Sequence, residues 1–404
     1  MKTPADVCHS RKRIMKTSSQ YSPGSPILCV AGARPNFMKI APIIRSLKDK
    51  PNSISIKLVH TGQHYDPEMN TTFFNQLQIP APDIALEVGS GSHAVQTAEI
   101  MKRFESVVES ESPAAVLVVG DVNSTIACAL VAAKKHVPVI HVEAGLRSFD
   151  RSMPEEINRV LTDQLSELLF ITEPSARDNL LREGVSEQRI FHVGNVMIDT
   201  LHRCQSLAVP AQDSLAELDD RDLFLQGDNG YCVLTLHRPS NVDDVQLFGQ
   251  LLETVRMVSE EIPVIFPVHP RTRNRMAELG LHTLIESRRI AQLQPLGYLE
   301  MLGLVSGARL VMTDSGGLQE ETTVLGVPCI TLRDTTERPV TVDQGTNTVV
   351  GHDRKQIMAI VSDVLSNGGK RGRTPELWDG RAAGRIKSVL TDWLQQPVSK
   401  AKLQ

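Results

Sequence analysis

Three acidic side chains stand where they can transfer protons. Asp121 and Glu143 each follow a short apolar segment that we predict to be a strand, and Glu155 lies in the first turn of a predicted helix. In a parallel sheet the carboxyl ends of the strands share one edge, so we expect these carboxylates to converge. Carboxylates at close range separate each other's pKa values, which provides an acid and a base near neutral pH. Each of them could instead serve as a helix cap or as one half of a salt bridge.

A second group of residues suits an anion. Arg34 and Lys39 follow the first predicted strand, His237 and His269 end two later strands, and Arg338 lies in the loop after another strand. A guanidinium binds anionic oxygens in bidentate fashion, and a histidine adds a further donor. Gathered at one cleft, these residues predict a diphosphate site. Taken singly, a histidine in such a place is more often structural.

Residues 310–321 predict a strand, a tight turn and the start of a helix. Ser315 can cap this helix, and Gly316 and Gly317 remove the side chains that would keep a phosphate away. Unpaired N–H groups at a helix N-terminus favour an anion. Glu321 lies roughly 9 Å further along the helix axis, which is about the reach from a diphosphate to a ribose diol. The same residues would also suit an ordinary capped helix after a Gly-Gly turn.

The elements that hold these residues alternate between short apolar strands and amphipathic helices from residue 27 onward. Continuous apolar strands separated by helices indicate parallel sheets covered on both faces, in an α/β fold. The pattern is interrupted by a polar stretch at 212–230 and then restarts, and 404 residues are too many for one ordinary core. We therefore predict two doubly wound, Rossmann-like domains with a cleft between them.

The predicted domains occupy residues 27–196 and 197–381. A helix at 382–394 is expected to pack back on the first domain, and residues 1–26 and 395–404 are expected to be a disordered extension and a loose tail.

Composition and missing motifs exclude several classes of protein. The formal net charge of −4 gives no reason to expect nucleic acid, and no apolar run approaches the ~20 residues of a membrane span. The six cysteines are widely spaced without a Cys-x-x-Cys pair, which favours reduced thiols in a cytoplasmic protein over disulfides or a metal site. Neither Gly-x-Gly-x-x-Gly nor a Walker A motif occurs, so we expect no dinucleotide cofactor.

Several motifs in register resemble those of the non-hydrolysing UDP-N-acetylglucosamine 2-epimerases, over about residues 27–351. They are GARPNFMK at 32–39, TGQH at 61–64, GD at 120–121, HVEAGLR at 141–147, PEEINR at 154–159, TDSGG at 313–317 and TERP at 336–339. The resemblance implies a GT-B-type fold, a homodimer, a UDP-sugar substrate and an active site between the domains.

The resemblance also implies roles residue by residue. Asp121, Glu143 and Glu155 match the acid/base carboxylates, and His237 matches a functionally important histidine. Arg34 and Lys39 match the basic residues after the first strand, and Arg338 matches a phosphate-side arginine. The phosphate turn is matched by Ser315, Gly316 and Gly317, and the ribose ligand by Glu321. One departure is Tyr65-Asp66, where many bacterial members carry arginine and then Glu or Gln. In those members this loop contributes to a second, regulatory UDP-sugar site, so the departure argues against the same regulation here.

The implied reaction inverts C2 of UDP-N-acetylglucosamine by elimination and re-addition of UDP, for cell-surface polysaccharide synthesis. This chemistry needs no nicotinamide. The histidine motifs at 237–241 and 269–273 also resemble a branch that acts on diacetamido uronates. A hydrolysing relative that releases UDP and N-acetylmannosamine would share the elimination step. A GT-B glycosyltransferase would use the same nucleotide pocket but would leave Glu143 and Glu155 without an obvious task, and a non-catalytic UDP-sugar sensor would require the loss of carboxylates that are present.

Overall fold

The computed structural model describes residues 24–62, 79–227 and 229–395, without the side chain of Arg34. Most of the predicted extension at 1–26, the loop with Tyr65 and Asp66, and nearly all of the predicted tail lie outside the described residues. Across the described part, no helix is both long and apolar enough to cross a membrane.

The first half of the described chain forms a parallel sheet in the order β3-β2-β1-β4-β5-β6-β7. Its central strands are short apolar runs, as expected where helices cover both faces. The strands are β1 (Ile27–Ala31), β2 (Ile56–His60), β3 (Ile84–Ala85), β4 (Ala115–Val119), β5 (Val139–Val142), β6 (Leu168–Ile171) and β7 (Ile190–His192).

Helices connect these strands. They are α1 (Arg34–Lys48), α2 (His93–Glu111), α3 (Asn123–Lys134), α4 (Pro154–Leu165), α5 (Pro174–Arg182) and α6 (Val196–Gln205), with a 3-10 turn at Glu187–Arg189. Proline occupies the first or second position of α1, α4 and α5, where its missing N–H group has no helical partner to lose.

The second half repeats the architecture in the order β10-β9-β8-β11-β12-β13. Its strands are β8 (Cys232–Thr235), β9 (Val264–Pro267), β10 (Ile290–Leu293), β11 (Leu310–Thr313), β12 (Cys329–Thr331) and β13 (Asn347–Val349). Its helices are α7 (Ala211–Ser214), α8 (Arg221–Leu225), α9 (Pro239–Val242), α10 (Val245–Glu261), α11 (Pro270–Leu279), α12 (Tyr298–Ser306), α13 (Gly316–Leu325), α14 (Pro339–Asp343), α15 (Arg354–Asn367) and α16 (Ala382–Gln395), with a 3-10 turn at His282–Ile285.

Alternate residues of each sheet enter different cores. Ile27 and Cys29 of β1 pack into one buried cluster, whereas Leu28 and Val30 pack into another. This alternation follows from the two-residue period of a strand. Each sheet therefore separates two apolar layers, and the fold is the predicted GT-B-type pair of Rossmann-like domains.

The strand order reverses direction at one place in each sheet. In the first sheet this switch point lies between β1 and β4, and in the second between β8 and β11. Ligands of open α/β sheets bind outside the carboxyl ends of the strands at such points, because the connecting helices diverge there to opposite faces.

The element boundaries differ from the prediction in several places. The glycine and proline of residues 32–36 predict a turn, but α1 begins at Arg34. Helix α6 was not predicted. The polar stretch at 212–230 was expected to form a helix and then a connection, and it contains the last part of α7 and all of α8. Helix α6 is short, and its packing against α1 stabilises it.

The C-terminal helix α16 packs on the first half of the chain. Ile386 and Leu390 enter the same buried cluster as Ile27 and Ile43. The backbone N–H groups of Ala382 and Ala383 donate to the carboxylate of Asp199 in α6, at 3.0 and 2.8 Å. A carboxylate at a helix N-terminus satisfies donors that have no partner within the helix. The domain boundaries themselves stay a prediction.

We expect Asp199→Ala to loosen this attachment. It removes the acceptor of both N–H groups, so the free energy of unfolding should fall by about 1 kcal/mol, the usual value of a helix N-cap. Urea unfolding measures this loss, and amide hydrogen exchange should speed up at 382–395. Asp392→Ala, at an exposed position of the same helix, is the control. An unchanged unfolding midpoint for Asp199→Ala would contradict the assignment.

Candidate active site

Glu143 lies at the carboxyl end of β5 and is held from two sides. One carboxylate oxygen accepts a hydrogen bond from the ammonium of Lys39, and the other accepts from Arg338 Nη2 at 2.9 Å. Glu143 is only 6% exposed, and its backbone has a φ of +70°, a conformation that is uncommon for a residue with a side chain. The carboxylate is thus fixed between two cations that come from different halves of the chain.

Gly120, at the carboxyl end of β4, makes room for this pair. It has a φ of +67°, and a Cβ atom at this position would lie 3.3 Å from Glu143 Oε2 and 3.4 Å from Lys39 Nζ. A side chain would therefore be strained by its own backbone and would also crowd the ion pair. Gly120 allows β4 and β5 to present Asp121 and Glu143 next to each other.

Asp121 is ionised by its surroundings. Its carboxylate lies 2.5 Å from Arg159 Nη2, and the side chain keeps 31% of its surface exposed. Burial opposes the charged form, but Arg159 and Lys39 outweigh it and hold the pKa of Asp121 below its ordinary value. Arg159 is itself anchored by Glu156, whose Oε2 lies 2.5 Å from Arg159 Nη1.

Glu156 also fixes the loop before α4. Its carboxylate accepts hydrogen bonds from the backbone N–H groups of Ser148 and Phe149 at 2.9 and 3.0 Å. Glu155, the neighbouring carboxylate, is 36% exposed and lies 3.5 Å from Arg238 Nη1. The two adjacent glutamates therefore have different surroundings, and Glu155 is the one with an exposed carboxylate.

Arg338 connects the two halves of the site. Its guanidinium donates to Glu320 Oε1 from Nε at 2.6 Å, to Glu337 Oε1 from Nη1 at 2.5 Å, and to Glu143 from Nη2. Arg338 is only 7% exposed, and the adjacent carboxylates raise its pKa well above the ordinary value although burial opposes the charge. The guanidinium therefore bonds a set of carboxylates where a diphosphate was predicted.

Glu337 lies within a group of arginines. Burial disfavours its charge, but Arg338, Arg333, Arg159 and Arg238 together hold its pKa well below the usual range. Arg333 Nη2 lies 3.0 Å from Glu337 Oε2. One buried carboxylate thus keeps several guanidinium groups together next to Asp121 and Glu143.

His237, at the end of β8, is oriented by Asp314 at the end of β11. The distance from His237 Nδ1 to Asp314 Oδ1 is 2.8 Å, and the imidazole keeps 35% of its surface exposed. The other oxygen of Asp314 accepts from the N–H groups of His237 and Arg238 at 2.9 and 2.8 Å. Burial opposes the charge of Asp314, but these partners hold its pKa below the usual value. An acceptor at Nδ1 leaves Nε2 as the nitrogen that faces away from Asp314.

His269 lies beside this histidine, with 5.6 Å between the ring centroids. Its Nδ1 accepts from the N–H group of Arg271 at 3.2 Å, so it serves as the N-cap of α11. Its predicted contact with substrate stays a prediction.

The predicted phosphate turn forms the start of α13. Ser315 is at the N-cap position, but its side chain makes no capping hydrogen bond, so the predicted cap is wrong. A Cβ atom at Gly316 would lie 2.5 Å from Arg338 Nη1, whereas the surroundings of Gly317 are open to 3.9 Å. Gly316 thus allows Arg338 to approach the helix terminus, and Gly317 leaves space there.

Glu321 lies on the buried side of α13, with 4% of its surface exposed. Burial raises its pKa to about 7, Tyr298 opposes the rise by hydrogen bonding, and Glu320 adds to it. Tyr298 belongs to α12, so this carboxyl group lies between two helices of the second half. Its predicted role at a ribose stays a prediction.

The fold thus brings Lys39, Asp121 and Glu143 together with Arg338 and Gly316, and it places Glu155 near Arg238 and His237 near His269. Arg34 begins α1, but its side chain lies outside the described part. In the residues that the structure describes, no group of three or more His, Cys, Asp or Glu side chains is arranged to hold a metal.

Sequence reasoning missed four residues that shape the site. They are Arg159, Asp314, Glu320 and Glu337. A signal existed for Asp314, because it directly follows a predicted strand that pairs with β8. Arg159 and Glu337 lie within the motifs at 154–159 and 336–339, but only the folded structure shows their partners, and Glu320 had no signal in the sequence.

Two parallel sheets whose strand ends meet at a charged cleft define an α/β enzyme of the GT-B type. The chain belongs to the UDP-N-acetylglucosamine 2-epimerase family, whose sequence model matches residues 45–391.

Relatives and solved structures agree with this family. The chain is 42% identical over 365 residues to the UDP-N-acetylglucosamine 2-epimerase of Methanocaldococcus jannaschii, an alignment that covers 90% of this chain and 98% of the relative. It is 41% identical to the UDP-2,3-diacetamido-2,3-dideoxy-D-glucuronate 2-epimerase of Pseudomonas aeruginosa, over 82% of this chain and 90% of the relative. The crystal structure of the M. jannaschii UDP-GlcNAc 2-epimerase in complex with UDP-GlcNAc and UDP superposes with a TM-score of 0.81 at 40% identity, covering 91% of this chain and 99% of that chain.

We expect Glu337→Gln to destabilise the fold strongly. The substitution leaves Arg338 and Arg333 buried with one anion fewer, and breaking a buried ion pair costs about 3 kcal/mol or more. Because the pKa of Glu337 is lowered, its contribution is present at neutral pH and is lost only as the pH falls through its folded-state value.

Urea unfolding of wild type and variant at pH 7 measures the difference. Glu278→Gln is the matched control, since Glu278 forms an exposed ion pair with Arg275 and should change stability by less than about 0.5 kcal/mol. Equal stability of Glu337→Gln and wild type would refute the central position of Glu337.

Proposed function

We propose that the chain interconverts UDP-N-acetylglucosamine and UDP-N-acetylmannosamine by inverting C2, and so supplies a sugar donor for cell-surface polysaccharides. The observation that carries this proposal is the pair of carboxylates, Asp121 and Glu143, beside Lys39 at one sheet edge. The start of α13 adjoins them through Arg338. Proton-transfer groups thus face a helix N-terminus that suits a diphosphate leaving group.

The reaction requires a base, a leaving group and an acid. Breaking the bond between C1 and the diphosphate oxygen builds positive charge at C1, which makes the proton on C2 acidic. The base takes this proton while UDP leaves with the bonding electrons, and a double bond forms between C1 and C2. A proton then enters C2 from the opposite face, and the UDP oxygen attacks C1 again. UDP must therefore stay bound throughout.

Asp121 is our choice for the base. It is ionised by Arg159 and Lys39, and part of its carboxylate remains exposed. Glu143, in contrast, is buried, and both of its carboxylate oxygens already accept hydrogen bonds, from Lys39 and from Arg338. The proton that enters from the opposite face then comes from Glu143 or Glu155. Lys39 is placed to return a proton to Glu143, since its ammonium donates to that carboxylate.

A diacetamido uronate is the second candidate for the sugar. The P. aeruginosa relative named for this substrate is 41% identical, against 42% for the M. jannaschii relative. The uronate is the minor alternative, because the family model and several relatives are named for UDP-N-acetylglucosamine, and both reactions use the same C2 chemistry. The candidate substrates differ in the 3-acetamido group and the uronate carboxylate.

Incubation in D2O with each UDP-sugar separates the possibilities. We expect NMR to show deuterium at C2 and a mixture of UDP-N-acetylglucosamine and UDP-N-acetylmannosamine. Faster exchange with the diacetamido uronate would assign the second substrate. Release of UDP and free N-acetylmannosamine would instead indicate a hydrolase, and absence of exchange with both sugars would refute the proposal.

Asp121→Asn should stop the reaction. The amide cannot accept the C2 proton, so exchange in D2O should fall by about 10²–10⁴-fold while UDP binding stays nearly unchanged. Asp150→Asn, in an exposed loop before α4, is the control and should exchange at the wild-type rate. Full activity in Asp121→Asn would show that another group is the base.

We further propose a homodimer in the cytoplasm. Ile157 and Leu161 lie one helical turn apart on α4 and are 49% and 48% exposed, and Phe149 in the preceding loop is 69% exposed. Such an apolar face suits a second copy of the chain. The described cysteines are buried free thiols, which fits a reducing compartment.

Leu161→Lys should weaken dimerisation by at least about tenfold, because a charge would be buried in an apolar contact. Analytical ultracentrifugation over a range of concentrations measures the effect. Leu207→Lys is the control, since Leu207 is 47% exposed but does not belong to α4. Unchanged association of Leu161→Lys would place the dimer contact elsewhere.

A further inference from the structure

Glu173 is a buried carboxyl group that the proposed reaction does not use. It follows β6 and immediately precedes α5, and it is only 1% exposed. Its Oε1 accepts from the hydroxyl group of Ser175 at 2.5 Å, whereas its Oε2 has no hydrogen-bond partner. Burying a carboxylate with so few donors is costly, so such a group favours the protonated form.

The carboxyl groups around Arg338 differ in the cations that they contact. Glu143 contacts Lys39 and Arg338, Glu337 contacts Arg333 and Arg338, and Glu320 contacts Arg338. Among the residues that the structure describes, Glu173 has no cation within ion-pair distance. Glu173 is thus the least compensated acid of the group and the one most ready to hold a proton.

The electrostatic surroundings of Glu173 also favour its protonated form. Burial raises the pKa of Glu173 to about 7, and the charge of Glu320 adds to the rise. Ser175, Arg338 and the backbone N–H group of Val340 act in the opposite direction without cancelling it. The charges of Glu320 and Arg338, from the second half of the chain, therefore act on the pKa of Glu173, which belongs to the first half.

Glu173 lies at the wall of a cavity. Its volume is about 350 Å³, and Glu173, Val340, Gln344, Arg373 and Glu376 contribute to its wall. Arg373 is exposed at its surface. A proton that leaves Glu173 can thus pass to water in this cavity without crossing the cleft that holds Asp121.

We propose that Glu173 is a positioning residue that must be uncharged for the site to work. When it ionises, its proton passes to water in the cavity, and a new anion appears beside Glu320 and Arg338. The guanidinium is then drawn from Glu143 towards Glu173, because the charge of Arg338 acts on both acids. Glu143 then keeps only its contact with Lys39. The ion pair between Glu143 and Arg338, which links the two halves of the site, weakens.

The proposal rests on the proposed epimerase function and gives it a pH dependence. The value of kcat/KM should fall as the pH rises through about 7, where Glu173 ionises. Glu173→Gln should remove this fall, since the amide keeps the shape and cannot ionise. Ser175→Ala should shift the fall to higher pH, because it removes a donor that favours the charged form. Glu376→Gln, on the wall of the same cavity, should behave as wild type.

A structural role alone would lower activity in these variants at every pH, without the different changes expected for Glu173→Gln and Ser175→Ala. The proposal is overturned if Glu173→Gln keeps the wild-type fall. It is equally overturned if Ser175→Ala leaves the position of the fall unchanged, a result that remains measurable if Glu173→Gln does not fold.

Stability provides a test that does not need activity. A carboxyl group whose pKa is raised from 4.5 to about 7 binds its proton more tightly in the folded state, so wild-type stability should fall between these values as the pH rises. The Tm of Glu173→Gln should decline less than that of wild type between pH 5 and pH 8. Parallel curves would overturn the proposal for Glu173. Divergent curves in a protein without epimerase activity would refute the proposed function and leave the titration of Glu173 standing.

Discussion

The site depends on one buried guanidinium. Arg338 is bonded to Glu143 from the first sheet and to Glu320 and Glu337 from the second half of the chain. An arginine this deeply buried is stable only when carboxylates replace the water that it has lost. The same contacts connect the sheet edge that carries Glu143 to the start of α13. The geometry of the cleft therefore follows from the charge balance of Arg338.

This balance also determines which acids are ionised. Carboxylates that contact or closely face several cations stay charged despite burial, as Glu337 and Asp121 do. Carboxyl groups with one contacting cation or none hold their protons more tightly, and the pKa values of Glu320 and Glu173 are raised. Burial alone predicts a raised pKa for all of them, so the balance between burial, nearby cations and nearby carboxylates decides the difference. A site of similar side chains can thus contain both bases and acids.

The turn at 315–317 has a different role from the one that its sequence suggests. A Gly-Gly turn before a helix indicates space for a phosphate, and Gly317 does leave such space. Gly316 has a second task, because its missing side chain lets Arg338 reach the helix terminus. The turn thus brings two features together. One is a helix N-terminus, which attracts anions, and the other is Arg338, which is hydrogen-bonded to Glu143. In the proposed reaction, this connection keeps the leaving group next to the carboxylates that we propose transfer protons.

The sequence by itself determined the class of fold and the edge at which the site lies. Periodicity reveals strands and helices, and in a parallel sheet every strand end that follows an apolar run falls on the same edge, so Asp121, Glu143 and His237 were found from local patterns. The start of α1, the helix at 196–205 and the partners of the key residues were not found. Arg159 and Glu337 lie within the motifs at 154–159 and 336–339, but nothing local shows which residues they contact, and Glu320 has no such motif. Only the tertiary structure decided which charged side chains are buried together. Burial removes their water, and the buried ion pairs then fix the positions of the side chains and shift the pKa values of the carboxyl groups.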